Sequence, residues 1–159
     1  MIILGIDPGS RITGFGVIEV IGNHHRYVTS GCIKTKGDAL SDRLYQIYNG
    51  LTTIIQQFNP GQVAIEKIFF KANADSALKL GQARGAAFVA VANFKLQLAE
   101  YAPRLIKKTV VGYGDAKKDQ IQHMIKMLLC LSDIPQSDAA DALAIAICHA
   151  SHQGVLYRD

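Results

Sequence analysis

Apolar positions along the chain follow two periods, and the switch between them divides it. Ile2-Ile3-Leu4-Gly5-Ile6 is an unbroken apolar run that ends on Asp7. Such a run predicts a buried strand, which Pro8-Gly9 terminates. Residues 13–20 (TGFGVIEV) predict a second strand, with glycines where the backbone approaches a neighbour closely or bulges. Gly22-Asn23 is a turn, and residues 27–35 predict a third strand. Three strands with short links form an antiparallel meander.

The period then changes. Leu40, Leu44, Ile47, Leu51, Ile54 and Phe58 recur at spacings of three and four, predicting an amphipathic helix over residues 40–58. Asn59-Pro60-Gly61 stops it. Gln62-Val63-Ala64-Ile65-Glu66 is a short strand that again ends on an acid. A strand after a helix of this length implies a crossover, parallel to the first strand. A small-residue helix follows to about Asn93, with Asp75 or Ser76 as its expected cap. Residues 96–101 allow a fifth strand, and Pro103 fits the start of a short helix. Asp115 is the expected cap of the next helix, and Asp138 to Ile147 form the last, with a frayed tail after His152. The result is an α/β chain read as one domain over residues 1–159.

Composition narrows the class. Hydrophobic residues make up 49% and charged residues 19%, a globular balance. No apolar run reaches the roughly 18 residues of a membrane span, and the N-terminal stretch carries Gly5 and Asp7 and has no basic lead, so a cytoplasmic protein is expected. Cys32, Cys130 and Cys148 are odd in number and far apart in apolar settings, which predicts reduced core thiols. The net charge of +4 leans mildly toward polyanions.

Four acids stand out by position. Asp7 and Glu66 each end an apolar strand, and on parallel neighbours both would sit at the sheet edge where ligands bind. Asp138 and Asp141, three apart, share a helix face, and Asp141 is flanked by alanines and a leucine. Three have a plainer reading: Asp7 as a turn residue, Glu66 as an ion-pair partner of Lys67, Asp138 as a cap; Asp141, on an apolar face, is harder to dismiss. One metal site explains all four together. Oxygen ligands select Mg2+ or Mn2+ over zinc, and two such ions ~4 Å apart activate water and stabilise a leaving oxygen. Cys148, His149 and His152 are the competing, weaker metal group.

Lys107, Lys108, Lys117 and Lys118 flank the loop Gly112-Tyr113-Gly114, which precedes a helix and suits phosphate. Its spacing is not that of a nucleotide P-loop. Phe69 and Phe70 follow Glu66 closely. Phe69 fits stacking on an unpaired base, with core or interface packing as the alternative, and Phe70 fits the core.

Gly5-Ile6-Asp7-Pro8-Gly9-Ser10, Ala64-Ile65-Glu66, residues 73–85 (NADSALKLGQARG) and Asp138-Ala139-Ala140-Asp141-Ala142 together resemble the RuvC family of bacterial Holliday-junction endonucleases. The resemblance spans almost the whole chain. It implies an RNase H-like fold: a five-stranded mixed sheet, strand two antiparallel to the rest, with helices on both faces. It implies a homodimer that nicks opposed strands of four-way junction DNA with Mg2+, two ions per subunit and Mn2+ as a substitute. The ends would be 5′-phosphate and 3′-hydroxyl, and the partners RuvA and RuvB. By matching position, Asp7, Glu66, Asp138 and Asp141 resemble the family's metal-binding catalytic acids. Phe69 resembles its junction-stacking residue, and Lys107 and Lys118 its lysines near the scissile phosphate. Lys67 stands where the family commonly has glutamine, and Phe70 and Lys71 also depart from its pattern. On strand alternation Lys67 points away from Glu66. Two other readings remain: a nucleotide-binding domain of the actin and sugar-kinase type, and a non-catalytic junction binder.

Overall fold

In a computed structural model, which describes residues 1–68 and 73–156, strand alternation divides the core into two. Strands β1 (Ile2–Asp7), β2 (Ile12–Ile21), β3 (His24–Lys34), β4 (Gln62–Glu66) and β5 (Leu98–Tyr101) form one sheet in the order β3-β2-β1-β4-β5. β2 runs antiparallel to β1 and β3, while β4 is parallel to β1 and β5. Successive strand residues face opposite sides. Leu4, Ile6, Val17, Val63 and Ile65 pack under helices α1 (Leu40–Phe58) and α2 (Ala74–Asn93). Ile3, Ile18 and Ala64 pack under α3 (Pro103–Val111), α4 (Lys118–Leu128) and α5 (Ser137–Leu156).

Several boundaries follow from local chemistry. Asn59 ends α1 in the left-handed conformation, φ 46°, its N–H donating to Ile55 O at 2.8 Å. Pro103 opens α3, where a missing N–H costs nothing, and Gly112 closes it at φ 100°. Two expected caps are replaced. Asn73 caps α2, accepting from the N–H groups of Asp75 (3.1 Å) and Ser76 (3.4 Å), because the backbone is already helical at the two residues expected to cap. Lys117, not Asp115, precedes α4, and its N–H is taken by the Gln120 side chain at 2.8 Å. The last helix continues past His152 to Leu156. All three thiols are free, but only Cys148 is a core residue; Cys130 is exposed on a left-handed turn and Cys32 is half-buried.

The position of α5 depends on three glycines. A Cβ on Gly5 would lie 2.0 Å from Ala142 O, and one on Gly14 2.1 Å from Asp138 O. On Gly16 it would lie 2.7 Å from the Leu143 side chain. Gly5 and Gly16 are paired across β1 and β2, and Gly14 is paired with Asp7. The glycines therefore leave a flat floor on which the α5 backbone rests directly, bringing its first turn to the end of β1.

Candidate active site

Register and alternation bring the strand acids together. Ile6 pairs with Ile65, so Asp7 and Glu66 are the next residue on each parallel strand. Both share strand parity with residues on the α5 face, Gly5 and Ala64. Thr13 holds the turn after Asp7: its Oγ1 donates to Gly9 O at 2.9 Å and accepts from Gly9 N–H at 3.3 Å. Asp138 and Asp141 enter from the first turns of α5. All four acids line a single cleft of about 1000 Å³.

The acids act on one another. Burial first, then the charges of Asp141, Glu66 and Asp138, push Asp7 up to about 8 against the opposing pull of Lys118. Asp141 is raised by burial, opposed by Lys118, whose Nζ lies 4.0 Å from Oδ2, and by Lys107. Among the described residues, no three His, Cys, Asp or Glu side chains stand close enough together to hold a metal ion as they are placed. The donor set consists of oxygens alone, which suits a hard divalent cation.

Lys107 and Lys118 line the cleft, whereas Lys108 and Lys117 do not. Lys67, immediately after β4, is also among the residues that line it. Phe69, Phe70 and Lys71 lie outside the described residues. The competing zinc group is otherwise engaged. His149 Nδ1 meets Tyr101 Oη at 2.8 Å and Nε2 meets Gln62 Oε1 at 2.7 Å and Gln153 Nε2 at 2.8 Å. His152 Nδ1 is 2.7 Å from Cys148 O.

Two supporting residues were not foreseen. Arg84 on α2 is buried; its guanidinium donates to Glu66 O and to the Glu100 carboxylate and lies 5.1 Å over the Phe88 ring. Nothing local marks it, since its partners lie on other elements. Gln136 donates to Asp138 Oδ2 at 2.7 Å. Its place immediately before the last helix was the available signal.

The chain matches the family model described as crossover junction endodeoxyribonuclease RuvC over residues 3–149. It is 59% identical over 157 residues to the RuvC of Tolumonas auensis, covering 99% of this chain and 91% of that protein. A Shewanella RuvC is 60% identical over 148 residues, covering 93% and 86%. Among solved structures, Thermus thermophilus RuvC in complex with a Holliday junction substrate superposes with TM-score 0.88 at 34% identity, covering 94% of this chain and 93% of that one. The yeast mitochondrial Holliday junction resolvase, 15% identical with TM-score 0.72 over 98% of this chain and 81% of that one, shares the fold.

Proposed function

The chain belongs to the RuvC family of crossover junction endodeoxyribonucleases, and we propose that its four-acid cleft is where the phosphodiester is cut. The fold is the RNase H-like fold of the resolvases. The activity is Holliday-junction resolution, an endonuclease step of recombination and repair. The observation that carries the site assignment is that acids from β1, β4 and α5 line one cleft and raise the proton affinity of Asp7.

Asp7, Glu66, Asp138 and Asp141 are the residues that would hold Mg2+, two ions per subunit, with Mn2+ as a substitute. When bound, the ions supply an activated water and stabilise the leaving oxygen. The chain's own groups do the rest. Asp7, held protonated by its surroundings, would have to lose that proton to serve as a ligand. Lys107 and Lys118, on the cleft wall, hold the scissile phosphate and offset its developing charge. Lys108 and Lys117, outside the cleft, follow the DNA backbone beyond it. Phe69 stacks on a base of the opened junction.

Paired cuts call for two copies, since a four-way junction has approximate two-fold symmetry. The outer face of α2 supports this: Leu78 and Val89 are exposed, and a Cβ on Gly81 or Gly85 would meet nothing within 4 Å. The reading is thus a homodimer of single-domain subunits, acting in the cytoplasm beside RuvA and RuvB and leaving 5′-phosphate and 3′-hydroxyl ends. Among the described residues, no helix is long and apolar enough to cross a membrane.

The test is cleavage of a synthetic four-way junction with Mg2+, comparing the native chain with Asp7→Asn. Native protein should cut opposed strands, while Asp7→Asn should bind the junction and leave it intact. Full-rate cutting by Asp7→Asn would remove Asp7 from the site.

A further inference from the structure

Gln136 sits where a helix N-cap belongs. It directly precedes α5, and its carbonyl accepts the Ala140 N–H at 2.8 Å. Its side chain also caps, because Oε1 accepts the Ala139 N–H at 3.0 Å. Glutamine is not a favoured cap; serine, threonine, aspartate and asparagine do this with shorter side chains. The longer side chain adds a second contact, from Nε2 to Asp138 Oδ2 at 2.7 Å.

The orientation of that amide is not arbitrary. A backbone N–H only donates, so the end facing Ala139 is the oxygen and the NH2 faces the carboxylate. From the sheet side, the Cys32 thiol donates to the same Oε1 at 2.9 Å. Cys32 pairs across β3 and β2 with Gly14, the glycine lying under the Asp138 backbone. The amide is therefore held by the helix and by the sheet at once.

We propose that Gln136 is a positioning residue for Asp138: it takes over the capping role an aspartate here would otherwise fill, and fixes one carboxylate oxygen so that the other serves a divalent cation. As a neutral donor it does this without adding charge to an already crowded acidic cluster. The inference rests on the reading of Asp138 as a metal-binding acid.

Two variants of the full chain separate this role from helix stability. Gln136→Ser restores a favoured cap but removes the amide donor, and Gln136→Met removes both. Mn2+ serves as the probe, titrated alone and followed by water-proton relaxation, with the Mg2+ dependence of junction cutting measured alongside. Gln136→Ser should melt no lower than the native chain yet bind Mn2+ roughly tenfold or more weakly, the scale of loss when a hydrogen-bond partner that orients a metal ligand is removed. Gln136→Met should show the same metal loss together with a lower melting temperature. Native Mn2+ affinity and Mg2+ dependence in Gln136→Ser would overturn the proposal. Asp138→Asn, run in parallel, keeps the two readings apart. If it cuts normally, the metal role of Asp138 fails; if it is inactive while Gln136→Ser is native in its metal titration, only the Gln136 role fails.

Discussion

Gly5 of β1 lies so close beneath Ala142 of α5 that a methyl group on it would come to 2.0 Å from the Ala142 carbonyl oxygen. The obstacle is backbone, which no rotamer change can clear. Gly5→Ala should lift the helix that carries Asp138 and Asp141, costing about 1–3 kcal/mol as an overpacked core does. Urea unfolding reads the stability loss, and junction cutting under folding conditions should fall far more than the unfolded fraction explains. Native-rate cutting by Gly5→Ala would show that the close contact does not set the acids' position.

Asp7 links metal binding to pH. Its folded value of about 8 lies above the ordinary 3.8. Between those values the native state holds a proton that the unfolded chain has lost, so the metal-free protein should lose stability as pH rises through that window. A cation must displace the proton. Apparent Mg2+ affinity should therefore rise with pH, by up to about tenfold per unit, and level off above about pH 8. Calorimetry in buffers of different ionisation enthalpy counts the released protons; an affinity that stays flat from about pH 6 to about pH 8 contradicts the assignment.

Arg84 ties α2 to the ends of β4 and β5. Arg84→Ala leaves Glu66 O and a partly exposed Glu100 without this donor and should cost about 2 kcal/mol, with cutting reduced as Glu66 loses its support. Arg84→Lys keeps the charge but not the planar fork that reaches both acceptors, so it should recover only part of either loss. Full recovery by lysine would mean that charge alone suffices.

His149 should make the fold sensitive to acid. Burial holds its imidazole below the usual histidine value, and the neighbouring His152 lowers it further. The other titratable groups nearby are Tyr101 and Cys148. Above about pH 6.5 neither state takes up the proton, and the stability is complete; below it the unfolded state is protonated first and stability falls. Asp7 acts in the opposite sense over the same range, so the check is urea unfolding of the native chain beside His149→Gln: from about pH 7.5 to about pH 5.5 the native chain should lose stability relative to the variant.

Much of this architecture was legible because its signals are local. The bounds of β1, α1 and β4 follow directly from apolar runs and from the breakers Pro8-Gly9 and Asn59-Pro60-Gly61. The four acids were visible as charges in apolar surroundings. Caps were harder to place, since Asn73, Asp75 and Ser76 can all cap and only the backbone angles decide among them. Gly14 and Gly16 signalled a close approach or a bulge without naming what approaches, and Gly5 carried no such sign, because α5 lies far along the chain. Arg84 gave no sign, its two acceptors belonging to strands reached only through folding.

The division of the acids between β1, β4 and the last helix also bears on biosynthesis. A ribosome releases Asp7 and Glu66 long before Asp138 and Asp141, and segments nearer the N-terminus can begin folding first. Until α5 settles on its glycine floor, the nascent chain lacks two of the four acids assigned to the metal.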